Sequence, residues 1–335
     1  MGQPLLATVL AQPTAVATLG RALAHDRVHH AYLFDGPDGV GKERAAFGLA
    51  QALVCEQRRP GGPDACGSCS ACARAVPRQG ESRPIHSDVV VLERGLYDPA
   101  AIGRRSPESQ DISIDQVRTL VLARAAFPPY EGRAKVFIVR RAEELSLPAA
   151  NSLLKTLEEP GARTHFVLLS SSADSLLPTI RSRAQRVRFG LLPDEVVADL
   201  LGQRGVPRER ATAIARIATG TMASALALSD PEGTARREEF VSRAMAALRA
   251  PDLGGALEVA EEAKKGDKAQ LAANLEALAA AFAVEARASA REEGRRAEIA
   301  ATRHELAVEA ARQVVDANAA AQLAVEAMML KMRAV

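Results

Sequence analysis

Four short and nearly continuous apolar runs stand in the first half of the chain, at residues 31–34, 88–92, 135–139 and 166–169. Each is rich in Val, Ile, Leu or Phe, and stretches of helical character separate them. Strands that are buried on both faces have this uninterrupted apolar character, and strands that alternate with helices are typical of a parallel sheet. We therefore predict an α/β domain with a parallel sheet over residues 1–190.

The second half of the chain has a different pattern. From about Leu192 onward the strand signal disappears, and the sequence becomes rich in Ala, Leu, Glu and Arg. Apolar residues recur there at helical spacing, as at Leu271, Leu275, Leu278 and Phe282. Glycines and prolines divide this half. We predict a small helical domain over residues 191–233 and a larger all-helical domain over residues 234–335.

Composition narrows the functional classes. The 335 residues are 47% hydrophobic, with 43 Lys and Arg against 41 Asp and Glu, and this near-balance gives no overall basic footprint for nucleic acid. Aromatic residues make up 3% and Trp is absent, which disfavours a base-stacking surface. No window approaches the roughly 20 apolar residues of a membrane span, and the N-terminus lacks a secretory pattern. A cytoplasmic protein without membrane contact is expected.

A glycine-rich motif follows the first apolar run and precedes a helix-forming stretch. In such a phosphate loop, Gly36, Gly39 and Gly41 would let backbone N–H groups wrap a phosphate chain, and Lys42 would reach the terminal phosphates. The next position normally carries a Ser or Thr hydroxyl for magnesium, but here it is Glu43, whose carboxylate would repel phosphate. The motif is either an inherited turn or a weakened nucleotide site, so ATP binding is expected to be weak or absent.

A second nucleotide element is also altered. An apolar strand of this type normally ends in acidic residues that hold magnesium and polarise the attacking water. Here the run at 135–139 continues into Arg140 and Arg141. Glu143 and Glu144 lie further along, where we expect them to start the following helix. Two independent defects in one catalytic apparatus argue against ATP hydrolysis.

All four cysteines fall in one short segment, at Cys55, Cys66, Cys69 and Cys72. Their spacing allows four thiolates to close a tetrahedral zinc site, and such a site has no open position and is structural. An iron–sulfur centre and unliganded thiols are the alternatives. A disulfide is a weaker one, because the cytosol keeps thiols reduced.

Several segments carry a family resemblance. NSLLKTLEEP at 151–160 is followed by FVLLSSS at 166–172 and LPTIRSR at 177–183, and this succession resembles the clamp-loader branch of the AAA+ superfamily. RVHHAYLF at 27–34 is similar to the entry to the first strand of bacterial clamp-loader subunits. The resemblance covers about residues 1–230, and residues 318–330 are similar to the last helix of the family's collar domain.

The resemblance implies an AAA+-type P-loop domain with a zinc module inserted at about 55–72, a small helical lid and a helical collar. Within the family, gamma/tau subunits are the ATPase motors, whereas delta-prime subunits are partners with degraded nucleotide motifs, and this sequence resembles the second pattern. Ser170 corresponds to the family's polar residue after the third core strand, and Ser224 stands where a nucleotide-sensing arginine is expected. The implied partners are the delta and gamma/tau subunits and, through the complex, the sliding clamp and primed DNA.

The resemblance further implies a role for Arg183 as an arginine finger that acts in trans on ATP of a neighbouring subunit. From the residues alone, Arg181 and Arg183 are equally well a solvated basic helix end, because Arg186 and Arg188 continue the charge. Lys155 is either a contact to DNA phosphate or a solvated helix lysine.

Three other functions fit the sequence less well. A working gamma/tau-type ATPase is disfavoured by Glu43, Arg140 and Arg141. A P-loop enzyme of another branch leaves the clamp-loader-like segments unexplained. A zinc-bearing helical adaptor without a replication role does not account for the phosphate-loop context.

Overall fold

The computed structural model describes residues 3–58, 65–102, 111–263, 268–290, 294–315 and 321–335. The chain forms two compact units, Met1–Ala225 and Leu226–Val335. In the described ranges, no helix combines the length and the apolar character that a membrane span requires. The predicted division at residues 190 and 233 stays a prediction.

A five-stranded sheet organises the first unit. Its strands pair in the order β2-β3-β4-β1-β5, and every neighbouring pair is parallel. The strands are β1 (Ala31–Asp35), β2 (Val89–Leu92), β3 (Lys135–Val139), β4 (Thr164–Ser170) and β5 (Gln185–Arg188). The first four coincide with the four apolar runs, which confirms the prediction of a parallel sheet.

The fifth strand was not predicted. We interpreted Arg186 and Arg188 only as continuing the charge of a basic helix end at Arg181 and Arg183, but both lie in β5, which pairs with β1 at the edge of the sheet. Only Val187 of this strand is buried. One buried apolar residue among exposed polar ones gives no strand signal in the sequence. Because β5 lies at the edge of the sheet, it can form with only one buried apolar residue.

Helices that lie before and between the strands cover both faces of the sheet, and further helices follow β5 in the chain. Between β2 and β3, a helical run begins with α4, continues through a π-helical segment (Val117–Leu122) and ends with α5. Short 3₁₀ turns lie at Leu6–Thr8, Pro99–Ile102, Ala142–Glu144 and Ala173–Ser175. The helices are α1 (Pro13–Ala24), α2 (Lys42–Val54), α3 (Ser70–Arg74), α4 (Ile114–Gln116), α5 (Ala123–Ala125), α6 (Leu147–Glu158), α7 (Pro178–Arg181), α8 (Asp194–Gly202), α9 (Arg208–Ile217) and α10 (Met222–Ser229).

Alternating side chains of the strands build one core on each face of the sheet. Tyr32 and Phe34 of β1 pack with α1 and α2 on one face, whereas Phe137 and Phe166 pack with α6 on the other, with their rings 5.1 Å apart. Because both faces are buried, successive strand residues are apolar, which is the physical origin of the uninterrupted runs in the sequence.

The second unit is helical throughout its described residues, as predicted. Leu275, Leu278 and Phe282 lie in its core together with Met328 and Met332. The helices are α11 (Pro231–Arg249), α12 (Gly254–Ala263), α13 (Lys268–Ser289), α14 (Gly294–Val315) and α15 (Ala321–Ala334). The segment likened to the last collar helix lies partly outside the described residues, which resume at Ala321 within it.

Candidate functional site

The glycine-rich loop joins β1 to α2 at the carboxyl edge of the sheet. Gly39 and Gly41 have φ angles of 81° and 103°, a left-handed conformation that glycine adopts without strain. Gly41 immediately precedes α2, so the loop ends at a helix N-terminus as phosphate loops do. The structure thus gives this segment the backbone course of a phosphate loop.

The start of α10 packs directly on this loop. The backbone N–H of Met222 donates to the carbonyl of Gly39 at 3.2 Å. A methyl group on Gly39 would lie 2.3 Å from the backbone nitrogen of Ala223, so no larger residue fits there. Beside this contact lies a cavity of about 840 Å³, lined among others by Val9, Lys42 and Arg140.

Lys42 is held by the loop itself. Its ammonium donates to the carbonyl of Gly36, to the carbonyl of Pro37 at 2.8 Å and to the carboxylate of Asp38 at 3.1 Å. The side chain is only 7% exposed. All three protons of the ammonium are therefore engaged within the loop, and a phosphate would have to displace them.

The two substitutions noticed in the sequence meet in space. Arg140, directly after β3, donates from Nη2 to Oε1 of Glu43 at 2.5 Å and from Nη1 to Oε2 of Glu93 at 2.7 Å. Burial opposes the charge on Arg140, but Glu43 and Glu93 outweigh burial and raise the pKa of its guanidinium. We call Glu43, Arg140 and Glu93 the guanidinium bridge.

Glu93 is the member of the guanidinium bridge that the sequence analysis missed. It follows β2 directly, just as Arg140 follows β3. Because the carboxyl ends of neighbouring parallel strands meet at one edge, an acidic residue immediately after a buried strand was an available signal.

The glutamates beyond β3 have other partners than expected. Glu143 accepts hydrogen bonds from the backbone and the hydroxyl of Ser171, at 3.1 and 2.7 Å. Glu144 accepts from Arg141 at 3.2 Å. Both lie in a 3₁₀ turn ahead of α6 and do not start that helix, because the Ser146 side chain caps α6 and Pro148 occupies its first turn.

The two serines that the resemblance implied for nucleotide contacts have hydrogen-bond partners of their own. Ser170 ends β4, is buried, and donates from its hydroxyl to the carbonyl of Ser172 at 2.8 Å. The backbone of Ser224 in α10 donates to the Thr221 hydroxyl at 3.2 Å. Neither serine carries the positive charge that would attract a γ-phosphate.

The four cysteines lie close together. Their sulfur atoms are all within 4.8 Å of one another, and those of Cys66 and Cys72 are 3.8 Å apart. Zinc–sulfur bonds of about 2.3 Å in a tetrahedron put sulfurs about 3.8 Å apart, so this donor set fits zinc. Cys55 follows α2, while Gly67, between Cys66 and Cys69, has a φ angle of 72° and turns the chain back.

Backbone amides donate hydrogen bonds to three of these sulfurs. The backbone N–H groups of Cys66, Cys69 and Cys72 donate to the sulfurs of Cys55, Cys66 and Cys69 at 3.3, 3.2 and 3.4 Å. Burial opposes ionisation of Cys66, yet amide donors from Ser68 and Cys69 lower its pKa to about 6. Burial and the neighbouring sulfurs raise the pKa of Cys72. Bound zinc would supply the charge that keeps all four as thiolates.

Arg183 lies just beyond α7 and contacts the end of α6. Its Nε and Nη2 donate to Oε1 of Glu158, the Nε contact being 2.8 Å. Its Nη1 donates to the carbonyl of Thr179 at 2.9 Å and to the hydroxyl of Ser182 at 3.2 Å. The side chain of Arg183 is 32% exposed and that of Glu158 is 47% exposed.

The neighbouring arginines have partners of their own. Arg181 pairs with Asp174 at 2.5 Å, and Arg186 reaches the carboxylate of Asp35 at the end of β1, also at 2.5 Å. Asp35 also accepts from the backbone of Ala173 at 2.9 Å, so this carboxylate ties β5 to the loop after β4. Arg181, Arg183 and Arg186 thus each form a specific ion pair, and Arg183 is the one of these three that pairs with a residue at the end of α6.

Comparisons with known proteins agree with this architecture. The family model for the DNA polymerase III delta subunit matches residues 11–192. The DNA polymerase III subunit gamma/tau of Mycobacterium bovis is 36% identical over 59% of this chain and 30% of its own length. The subunit delta' of Bacillus subtilis is 32% identical over 68% of this chain and 60% of its own, and that of Pseudomonas aeruginosa is 35% identical over 63% and 58%.

The chain therefore spans between about a third and three fifths of the curated relatives that it matches. The family match alone covers residues 11–192 of 335, which is more than half of the chain. Together with the parallel sheet, the phosphate loop at its carboxyl edge and the helical second unit, this match identifies the chain as a member of the clamp-loader family of DNA polymerase III subunits, in the AAA+ superfamily.

Proposed function

We propose that this chain is the delta-prime-type subunit of a DNA polymerase III clamp loader, which does not hydrolyse ATP itself and supplies Arg183 in trans to ATP on a neighbouring gamma/tau subunit. Similarity does not separate the two kinds of subunit, because gamma/tau and delta' relatives are 36% and 32 to 35% identical. The guanidinium bridge is the observation that carries the choice.

In a P-loop NTPase, magnesium is held between the hydroxyl after the loop lysine and an acidic residue at a strand end. Those two positions here belong to Glu43 and Arg140, which bind each other. An incoming phosphate chain would meet the carboxylates of Glu43 and Glu93, and it would find Lys42 already engaged by loop carbonyls. The groups that would attract phosphate and coordinate magnesium are instead paired with one another. We therefore do not expect ATP hydrolysis in this site.

The rest of the chain fits a supporting role. A four-thiolate zinc at Cys55, Cys66, Cys69 and Cys72 would be structural, because it leaves no open coordination position. We assign residues 191–233 to a lid and 234–335 to a collar that holds the chain in the complex. The proposed partners are the delta and gamma/tau subunits of the same organism in the cytoplasm, with the sliding clamp and primed DNA reached through the complex.

Charge and position support the role that we propose for Arg183. It is a partly exposed guanidinium on the surface of the sheet domain, in the segment that resembles the family's finger motif. A guanidinium aimed at a γ-phosphate stabilises the charge of the transition state, and fingers of this kind are worth about 10³ to 10⁵ in rate at the site that they serve. Losing one finger should therefore silence one site among several.

The test is a reconstitution with the delta and gamma/tau subunits. We expect the isolated chain to show no ATP turnover above a Lys42→Ala control. Arg183→Ala should assemble normally but lower the clamp- and DNA-stimulated ATPase of the complex in part. Arg183→Lys should rescue little, because lysine lacks the planar fork.

Arg188→Ala is the matched control, since Arg188 is an exposed arginine of the same segment on β5. Its complex should work like the wild type. Failure to assemble would refute the subunit assignment. Wild-type ATPase and clamp loading with Arg183→Ala would refute the finger.

A further inference from the structure

The contacts of Arg183 leave it little freedom to bind a phosphate. A guanidinium has five N–H donors, and here four of them have partners: two reach Glu158, one reaches Thr179 and one reaches Ser182. The fifth, on Nη2, has no partner among the described residues. Two-point recognition of a phosphate needs two parallel N–H groups of one edge. Arg183 must therefore release a partner before it can act as a finger.

The pair with Glu158 is the contact that can be released. Thr179 and Ser182 are neighbours of Arg183 in the chain, whereas Glu158 comes from another helix, 25 residues away. Both side chains are partly exposed, at 32% and 47%. An exposed ion pair shifts an equilibrium by at most about fivefold, because water competes for both partners. Such a contact favours the paired position of Arg183 but is weak enough to be broken readily.

The position of Glu158 shows that this carboxylate does not stabilise helix α6. Glu158 is the last residue of α6, where the helix dipole places partial negative charge and an acidic side chain is unfavourable. Glu159 follows at once and is also exposed. Arg183 offsets this accumulation of negative charge at the helix end.

The ring of His30 lies beside the backbones that carry the two partners. Its ring lies against the backbone of Leu157, next to Glu158, and against the backbone of Arg183. The ring also stacks on that of His29, with centroids 4.3 Å apart. The backbones on either side of the ion pair thus have the His30 ring as a common neighbour.

We propose that Glu158 is a latch: a positioning residue that holds Arg183 within its own subunit until the nucleotide of the neighbouring subunit draws it away. This proposal rests on the proposed role of Arg183 as a finger. The triphosphate offers the guanidinium the negative charge that Glu158 offers, and the two compete for the Nε and Nη2 edge. The latch lowers premature hydrolysis at the neighbouring site, and its loss makes the finger available for more of the time.

The experiment measures the ATPase of the reconstituted complex without DNA. Glu158→Ala should raise this rate, by up to about fivefold at the site served by Arg183, and Glu158→Gln should raise it less, because glutamine keeps an oxygen acceptor. Folding is not endangered, since both changes remove a charge that is unfavourable at a helix end. Raising the salt concentration should shrink the difference from the wild type, because salt weakens the exposed pair.

Two matched controls separate the latch from a general charge effect. Glu159→Gln removes the adjacent exposed carboxylate, and Asp174→Asn releases Arg181 from the same kind of ion pair. Both complexes should keep the wild-type rate. In an Arg183→Ala background, Glu158→Ala should add nothing, which a merely structural role of Glu158 would not produce.

The outcomes distinguish the two proposals. If Arg183→Ala leaves the stimulated ATPase unchanged, the finger itself is wrong. If Arg183→Ala lowers it while Glu158→Ala has the wild-type rate, only the latch is wrong. A rate that falls with Glu158→Ala also overturns the latch, because Glu158 would then be aiming the finger at the nucleotide.

Discussion

Replacing Arg140 with methionine tests the guanidinium bridge directly. The variant keeps most of the side-chain volume beside Phe47, over whose ring the guanidinium carbon lies at 5.8 Å, but removes the charge between Glu43 and Glu93. Arg140 is 12% exposed, whereas the two glutamates are 51% and 30% exposed. Exposed pairs contribute about 0–1 kcal/mol and breaking a buried pair costs about 3–5 kcal/mol. We therefore expect a loss of about 1–3 kcal/mol in the free energy of unfolding.

The assay uses the placement of the tyrosines. All three, Tyr32, Tyr97 and Tyr130, lie in the first unit, and the chain has no Trp. Urea unfolding followed by the tyrosine signal thus reports on the unit that holds the bridge, without interference from the helical second unit. Arg141→Met is the control. That arginine is 54% exposed and pairs with Glu144, so its replacement should cost no more than about 1 kcal/mol.

Magnesium provides a second readout. Without the guanidinium that joins them, the carboxylates of Glu43 and Glu93 would lie near each other with no cation to neutralise them, and carboxylates are the ligands that magnesium prefers. Magnesium should therefore raise the unfolding midpoint of Arg140→Met but not that of the wild type. A variant as stable as the wild type and indifferent to magnesium would show that the bridge has no such role.

Two further predictions concern other parts of the first unit. Elemental analysis should find about one zinc per chain, lost with local structure when Cys66 becomes Ser, and chelation should lower the melting temperature; metal-free protein with four freely titrating thiols would contradict the site. The second concerns Glu131, whose pKa is lowered from 4.5 to about 2, first by the backbone amide of Ser87 and then by Arg74. A carboxylate with a lowered pKa stabilises the fold above its unfolded pKa, so this contribution should be complete above pH 4.5 and lost as the pH falls toward about 2. Glu131→Gln should abolish that part of the acid sensitivity, whereas Glu81→Gln, at an exposed position, should leave the acid-unfolding curve unchanged.

Much of the fold could be predicted because its signals are local. Strands β1 to β4 are buried on both faces, so each leaves an uninterrupted apolar run, and the loop before α2 needs glycines where its backbone is left-handed. The cysteine set was likewise readable from spacing alone, because ligands that close one site within a short segment must lie near each other in the chain.

Strand β5 and the ends of β2 and β3 were decided only by tertiary structure. The single buried residue of β5, Val187, carries no pattern, and pairing with β1 along the sheet edge makes the segment a strand. The pair between Arg140 and Glu43 joins residues 97 positions apart, and that with Glu93 joins residues 47 apart. No local rule relates such positions, since the parallel sheet brings the strand ends to one edge.

The sequence by itself therefore determined that the nucleotide apparatus is altered, at Glu43 and at Arg140 separately. Only the fold decided that the two alterations are one feature, in which a guanidinium lies between two carboxylates. The same holds for Arg183: its motif can be read along the chain, but its partner Glu158 is supplied by another helix. Charge is visible in a sequence, whereas the partner of a charge depends on which distant segments the sheet brings into contact.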